Sequence, residues 1–153
     1  SLYPDVRAFA EHPVVELGHG VGPFYKSSDE SKALVWLRHH LLHEERDTLH
    51  IAMGAPRAWF AEGVTFGVQR MATFFGPVSF EMRSTSTSVT IELSLDAARG
   101  PAVLALHLRR SGERDPRSIL VNGETVLLAP LVWEAGALRI IDPPADLVIE
   151  VGW

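Results

Sequence analysis

The chain has 153 residues and no cysteine. That absence excludes disulfides, thiolate nucleophiles and cysteine-bound zinc. It does not fix the compartment, because secreted and periplasmic domains can also lack cysteine. No apolar run approaches the roughly 18 residues that a membrane-spanning helix needs, so no membrane partner is expected. Ser1-Leu-Tyr-Pro-Asp5 has neither the basic start nor the apolar centre of a signal peptide. A first residue of Ser rather than Met leads us to expect a piece of a longer protein. Positive charge is scarce, and the formal net charge is −5. Arg109, Arg110, Arg114 and Arg117 are interrupted by Glu113 and Asp115, which makes a solvated loop rather than a nucleic-acid footprint. There is no Gly-x-Ser-x-Gly elbow. Gly18-His-Gly-Val-Gly22 lacks the Lys-Ser/Thr that would make it a phosphate loop. No cofactor is expected.

What the chain does have is alternation. Val78, Phe80 and Met82 alternate with Ser79, Glu81 and Arg83. Val89, Ile91, Leu93 and Leu95 alternate with Thr90, Glu92 and Ser94. One dry face and one wet face at period 2 describe two half-buried antiparallel strands. Thr85-Ser86-Thr87 between them is short enough for a hairpin. Further strands are expected over Thr48–Met53, Val64–Gln69, Val103–Leu108, Ile119–Val121, Thr125–Leu128, Leu131–Trp133, Leu138–Ile141 and Leu147–Val151. Asn122-Gly123 is the strongest hairpin signal, because both residues accept positive φ. Leu147–Val151 is apolar enough to suit a central strand. Arg57–Glu62 suits a single helical turn closed by Gly63. The pattern is mainly β: an antiparallel β-sandwich of about nine strands with an N-terminal helical segment.

The N-terminal part differs in kind. Residues 1–28 read as irregular, broken by Pro4, Pro13 and Pro23. Ser27 and Glu30 fit a capping box for a helix running from about Asp29 to Glu45. Leu34, Leu37 and Leu41 form its stripe, widened by Ala33, Val35, Trp36 and Leu42. A stripe so wide predicts a helix buried on most of its girth. On such a helix His39 and His43 would share a face beside Glu44, with His50 or His19 as a distant third ligand. The order does not match a zincin, and a polar face near a helix C-terminus explains the histidines more simply. No metal is expected. The helical segment is taken as residues 1–46 and the β-sandwich as residues 47–153.

A set of short motifs resembles a known layout. They are Glu16, Gly22-Pro-Phe-Tyr-Lys-Ser-Ser-Asp-Glu30, Trp36-Leu-Arg38 and His43-Glu-Glu-Arg-Asp-Thr-Leu-His50. Ala55-Pro-Arg-Ala-Trp-Phe60, Gly63, Thr73-Phe-Phe-Gly-Pro-Val-Ser-Phe80 and Val121-Asn-Gly123 follow. Together they resemble the C-terminal end of large bacterial proteins of the six-hairpin glycosidase class. In that class, which includes α-L-rhamnosidase and β-L-arabinofuranosidase types, a β-sandwich follows an (α/α)6 barrel. The resemblance covers nearly the whole chain, and its motifs are structural rather than catalytic. It implies that residues 1 to about 46 close the barrel. It also implies that the catalytic carboxylates lie on parts of the barrel outside this sequence, so no catalytic residue is assigned here. Lys26, Asp29 and Glu30, with Glu16, would stand near the barrel's rim, which makes Lys26, Asp29 and Glu30 candidate carbohydrate-binding residues, although the two acids of the helix also suit its first turn.

Two functions follow from this. One is a non-catalytic C-terminal β-sandwich of a carbohydrate-active enzyme, packing on the catalytic barrel of the same parent protein. The alternative is an independent carbohydrate-binding module that takes an oligosaccharide. For the second, Trp59 and Trp133 are the candidate sugar platforms, with Trp153, Phe74 and Phe75 behind them. Core or edge packing is the competing use of each ring. A complete hydrolase would need two carboxylates flanking a cleft at about 5–9.5 Å, which sequence spacing does not reveal.

Overall fold

The computed structural model describes residues 2–3, 8–9, 12–14, 19–21, 27–109, 115–125, 131–134 and 136–153. Side chains are described from Ser31 onward within those ranges, except those of Leu131, Val132 and Glu134. The chain forms two compact units, Ser1–His39 and His40–Trp153.

The first unit holds β1 (Leu2–Tyr3), β2 (Ala8–Phe9), β3 (His12–Val14), β4 (His19–Val21) and most of α1 (Ser27–Leu41). β1 pairs with β2, and β3 pairs with β4, both antiparallel. The sequence reading of this stretch as irregular is corrected: ladders of two or three residues show no periodicity. The capping side chains of Ser27 and Glu30 lie outside the described ones. The expectation of a helix buried on most of its girth is also corrected. Leu34 is 69 % exposed, Trp36 64 %, Leu37 53 % and Val35 48 %. Four consecutive apolar residues point in every direction around a helix, so no single layer covers them all.

The second unit continues with β5 (Leu42–Glu45) and β6 (Thr48–Ile51). The helix therefore stops four residues earlier than its apolar pattern suggests. Leu42–Glu45 pairs antiparallel with β6, from Leu42 opposite Ile51 to Glu45 opposite Thr48. The Ala52 amide donates to the Leu41 carbonyl at 2.8 Å, which extends the ladder to the last helical residue. Arg46, at φ 56°, and Asp47 make the two-residue turn. Burial of Leu42 and four ladder pairs outweigh a helix propensity worth only tenths of a kcal/mol per residue.

A 3-10 turn, Arg57–Phe60, leads to β7 (Thr65–Thr73), β8 (Gly76–Ser84) and β9 (Ser88–Ser94). Then come β10 (Val103–His107), β11 (Ser118–Val121), β12 (Glu124–Thr125), β13 (Leu131–Glu134), β14 (Ala137–Ile141) and β15 (Asp146–Gly152). β12 meets the expected return strand Thr125–Leu128 only at Thr125, and residues 126–128 of that expectation lie outside the described ones. β7 runs on through Met71–Thr73, beyond the strand expected over Val64–Gln69. One sheet has the order β13-β14-β10-β6-β5, and the other β12-β11-β15-β9-β8-β7. All neighbours are antiparallel except β10 and β6, which run parallel. Asn122 at φ 52° and Gly123 at φ 81° close the β11–β12 hairpin as the sequence predicts.

The inner faces of both sheets meet in one core. Leu42, Leu49, Ile51, Leu104, Leu106 and Leu138 come from the five-stranded sheet. Val78, Phe80, Met82, Val89, Ile91, Ile149 and Val151 come from the six-stranded one. Each such side chain contributes about 1.5–3 kcal/mol on burial. The chain is thus a mainly β, antiparallel-rich sandwich with an N-terminal helix. Among the described residues, no helix is long and apolar enough to cross a membrane.

Candidate functional site

The alternation that builds the core also builds the opposite face of the six-stranded sheet. β8 sends Phe80 and Met82 inward, so Ser79, Glu81 and Arg83 face out. β9 does the same with Ile91 and Leu93, leaving Thr90, Glu92 and Ser94 outward. Strand pairing then sets these residues in rows. Gly67 lies opposite Glu81, Glu81 opposite Glu92, and Glu92 opposite Val148. In the next row Ser79 faces Ser94, and Ser94 faces Asp146.

Over these rows lies a groove of about 870 Å3, open to solvent. Gly67 keeps one end of its floor bare. A Cβ there would stand 2.0 Å from the Phe80 carbonyl oxygen, so no larger residue fits without moving backbone. At the other end Val148 is 48 % exposed on the wet face. The Val148 backbone is pinned to Asn122, donating to its Oδ1 at 2.8 Å and accepting from its amide at 2.7 Å. Near β7 a bulge between Val68 and Met71 puts Arg70 at φ 51°. The Arg70 amide donates to Ser79 Oγ at 2.9 Å, which fixes that corner of the floor.

Two carboxylates directly opposite each other in a sheet repel. Here Arg83 stands between them. Its guanidinium pairs with Glu81 and donates to Glu92 Oε1 at 2.7 Å. The hydrogen bond to Glu92 and the charges of both glutamates hold the Arg83 pKa above its usual value. The pair is therefore an ion-paired triad on the surface, not a free acid beside a free base.

A second cluster lies on the outward face of the five-stranded sheet. His43 and His50 are a cross-strand pair, with ring centroids 6.0 Å apart. His50 Nδ1 and His107 Nε2 are 2.9 Å apart and share one hydrogen bond. Burial, the charge His50 carries when protonated and the nearby Arg109 and Arg139 push the His107 pKa down to about 4. Burial also lowers that of His50, against the opposing pull of Glu45. His50 Nε2 stands 3.5 Å from Glu45 Oε2 and makes no hydrogen bond. His43 lies on β5 and His39 on α1, so the expected pairing of these two on one helix face does not occur. Among the described residues, no group of three or more His, Asp or Glu is arranged to hold a metal ion.

Of the residues singled out from the sequence, Trp59 and Trp133 are not among those that line the groove. Trp59 sits in the 3-10 turn, half-buried against the core, with its ring 5.2 Å from Phe66. Trp133 on β13 is half-buried as well, edge-on to Trp153 at 6.3 Å. Lys26 lies outside the described residues. Asp29 and Glu30 fall in the first turn of α1, and their side chains lie outside the described ones. Sequence reasoning identified the wet-face residues as polar but did not group them as a site. The signal available was the shared phase of Ser79, Glu81, Glu92 and Ser94, with Gly67 interrupting the neighbouring strand.

No family model and no curated protein matches the chain. Among solved structures, it is similar to a GH127 β-L-arabinofuranosidase, Ara127N-Se, from Geobacillus stearothermophilus T6. The TM-score is 0.40 and the sequence identity 14 %, over 82 % of this chain and 18 % of that one. The chain thus corresponds to less than a fifth of that enzyme's length.

Proposed function

We propose that this chain is a non-catalytic C-terminal β-sandwich of a carbohydrate-active enzyme, packing on a catalytic barrel of the same parent protein and helping to shape its cleft. The observation that carries this reading is the exposed apolar run Leu34-Val-Trp-Leu37 on α1. A helix that shows apolar residues on all sides is stable only when other protein surrounds it. In this reading residues 1 to about 46 are the end of the barrel, less Leu42–Glu45, which pair with β6 in the sandwich. Lys26, Asp29 and Glu30 are then its residues nearest the rim. The Arg83 triad agrees with a non-catalytic role, because both facing glutamates are committed to one guanidinium. The test is turnover of a panel of aryl glycosides, furanosides included, by the purified chain. No turnover is expected. Turnover lost on Glu81→Gln or Glu92→Gln would overturn the reading.

A second reading, a carbohydrate-binding module, is favoured by the groove. Its volume of about 870 Å3 lies within the usual range for ligand sites. Trp59 and Trp133 remain its candidate aromatic contacts, each with one side given to the core. Loss of glycan binding in Trp59→Ala and Trp133→Ala proteins that stay folded would assign the sugar to the rings. Binding that survives both would remove the rings from this reading.

A further inference from the structure

The groove is defined by its charge as much as by its shape. Glu81, Glu92 and Asp146 line it, and Arg83 is the cation paired with two of them. Three carboxylates less one guanidinium leave two negative charges over the floor. Val148 adds an exposed apolar spot in register with Glu92. A sugar ring has matching parts: an apolar C–H face and an edge of hydroxyls that donate to carboxylates. A uronate adds a carboxylate of its own, which meets uncompensated like charge in the groove.

We infer that the outward groove of the six-stranded sheet is a site for an uncharged oligosaccharide, seated on Val148 and hydrogen-bonded through its hydroxyls to Glu92 and Asp146, and that its negative charge rejects polyuronates. This rests on the carbohydrate reading and adds to it the place of binding and the class of sugar.

The experiment is calorimetric titration of the whole chain with linear arabino-, xylo- and gluco-oligosaccharides, and with an oligogalacturonate of equal length. At least one neutral chain is expected to bind, with the oligogalacturonate about tenfold weaker or worse. Val148→Asp is expected to weaken the neutral ligand about tenfold. Ser94→Asp, at an exposed polar position, provides the same test should the first variant misfold. Glu81→Gln with Glu92→Gln removes two charges and is expected to narrow the gap between neutral and uronate ligands. Equal or tighter binding of oligogalacturonate by the unaltered chain would overturn the charge selection alone. Neutral binding untouched by Val148→Asp and Ser94→Asp would overturn the placement alone. No binding of any glycan would overturn this inference and the binding-module reading together.

Discussion

His50 and His107 share a single hydrogen bond, 2.9 Å from Nδ1 to Nε2, across the parallel strands β6 and β10. One ring donates and the other accepts, so the contact suits two neutral imidazoles. Both pKa values are lowered in the fold, that of His107 to about 4. The unfolded chain therefore binds more protons than the folded one below the ordinary histidine pKa, near 6.5. The stability tied to these groups is fully present above that value. It is lost as pH falls from there through about 4. Discounted for the solvent that reaches the pair, the loss is on the order of 1–2 kcal/mol. Urea unfolding at pH 7.5, 6, 5 and 4 measures it. In His107→Asn, which no longer titrates, the slope between pH 6.5 and 4 is expected to flatten. An unchanged slope would place the titration elsewhere.

Gly67 is required by a backbone contact, not by its own φ. An alanine Cβ would stand 2.0 Å from the Phe80 carbonyl oxygen and 2.9 Å from the Glu81 Cα. Gly67→Ala is expected to cost about 1–3 kcal/mol through local separation of β7 from β8. The urea midpoint falls while the m-value stays constant.

Ser84 is 5 % exposed and its Oγ has no hydrogen-bond partner. Its backbone is satisfied, donating to the Val64 carbonyl and accepting from the Gly63 amide. Ser84→Ala removes a buried unsatisfied hydroxyl and little volume. The expected result is a midpoint equal to wild type or higher, by up to about 1 kcal/mol. A clear drop would mean that the hydroxyl is bonded in solution.

Arg83 keeps Glu81 and Glu92 together on adjacent strands. In Arg83→Ala the two carboxylates oppose each other without a cation. The melting temperature is expected to fall at low salt, and the difference to shrink as salt screens the repulsion. Arg83→Lys keeps the charge but loses the fork that spans both glutamates, and lies between the two. A deficit that does not respond to salt would point to lost packing instead.

The two strands around Thr85–Thr87 were legible because each commits four or more residues to strict alternation. Asn122-Gly123 was legible because few dipeptides accept positive φ at both positions. β5 was hidden for an opposite reason: Leu41-Leu42 prolongs the stripe of α1, and only pairing with β6 pulls Leu42–Glu45 into the sheet. That pairing also decides the histidines. His43 meets His50 across a ladder rather than His39 along a helix, and His107 joins from a strand more than fifty residues away. The groove was half legible. The phase of Ser79, Glu81, Glu92 and Ser94 marks a wet face, but the row of residues across four strands comes from registers that sequence does not print. Tryptophans attract a sugar-binding argument by chemistry alone, and packing of Trp59 on Phe66 and of Trp133 on Trp153 depends on the fold.

If α1 closes a catalytic barrel that the sandwich serves, as proposed, that barrel is encoded upstream of Ser1. The most direct measurement is to sequence the gene upstream of the codon for Ser1. The expected result is an open frame that continues upstream through repeated helical hairpins, with a pair of catalytic carboxylates among them. A start codon or a signal peptide immediately before Ser1 would contradict it, and the sandwich would then have to act alone.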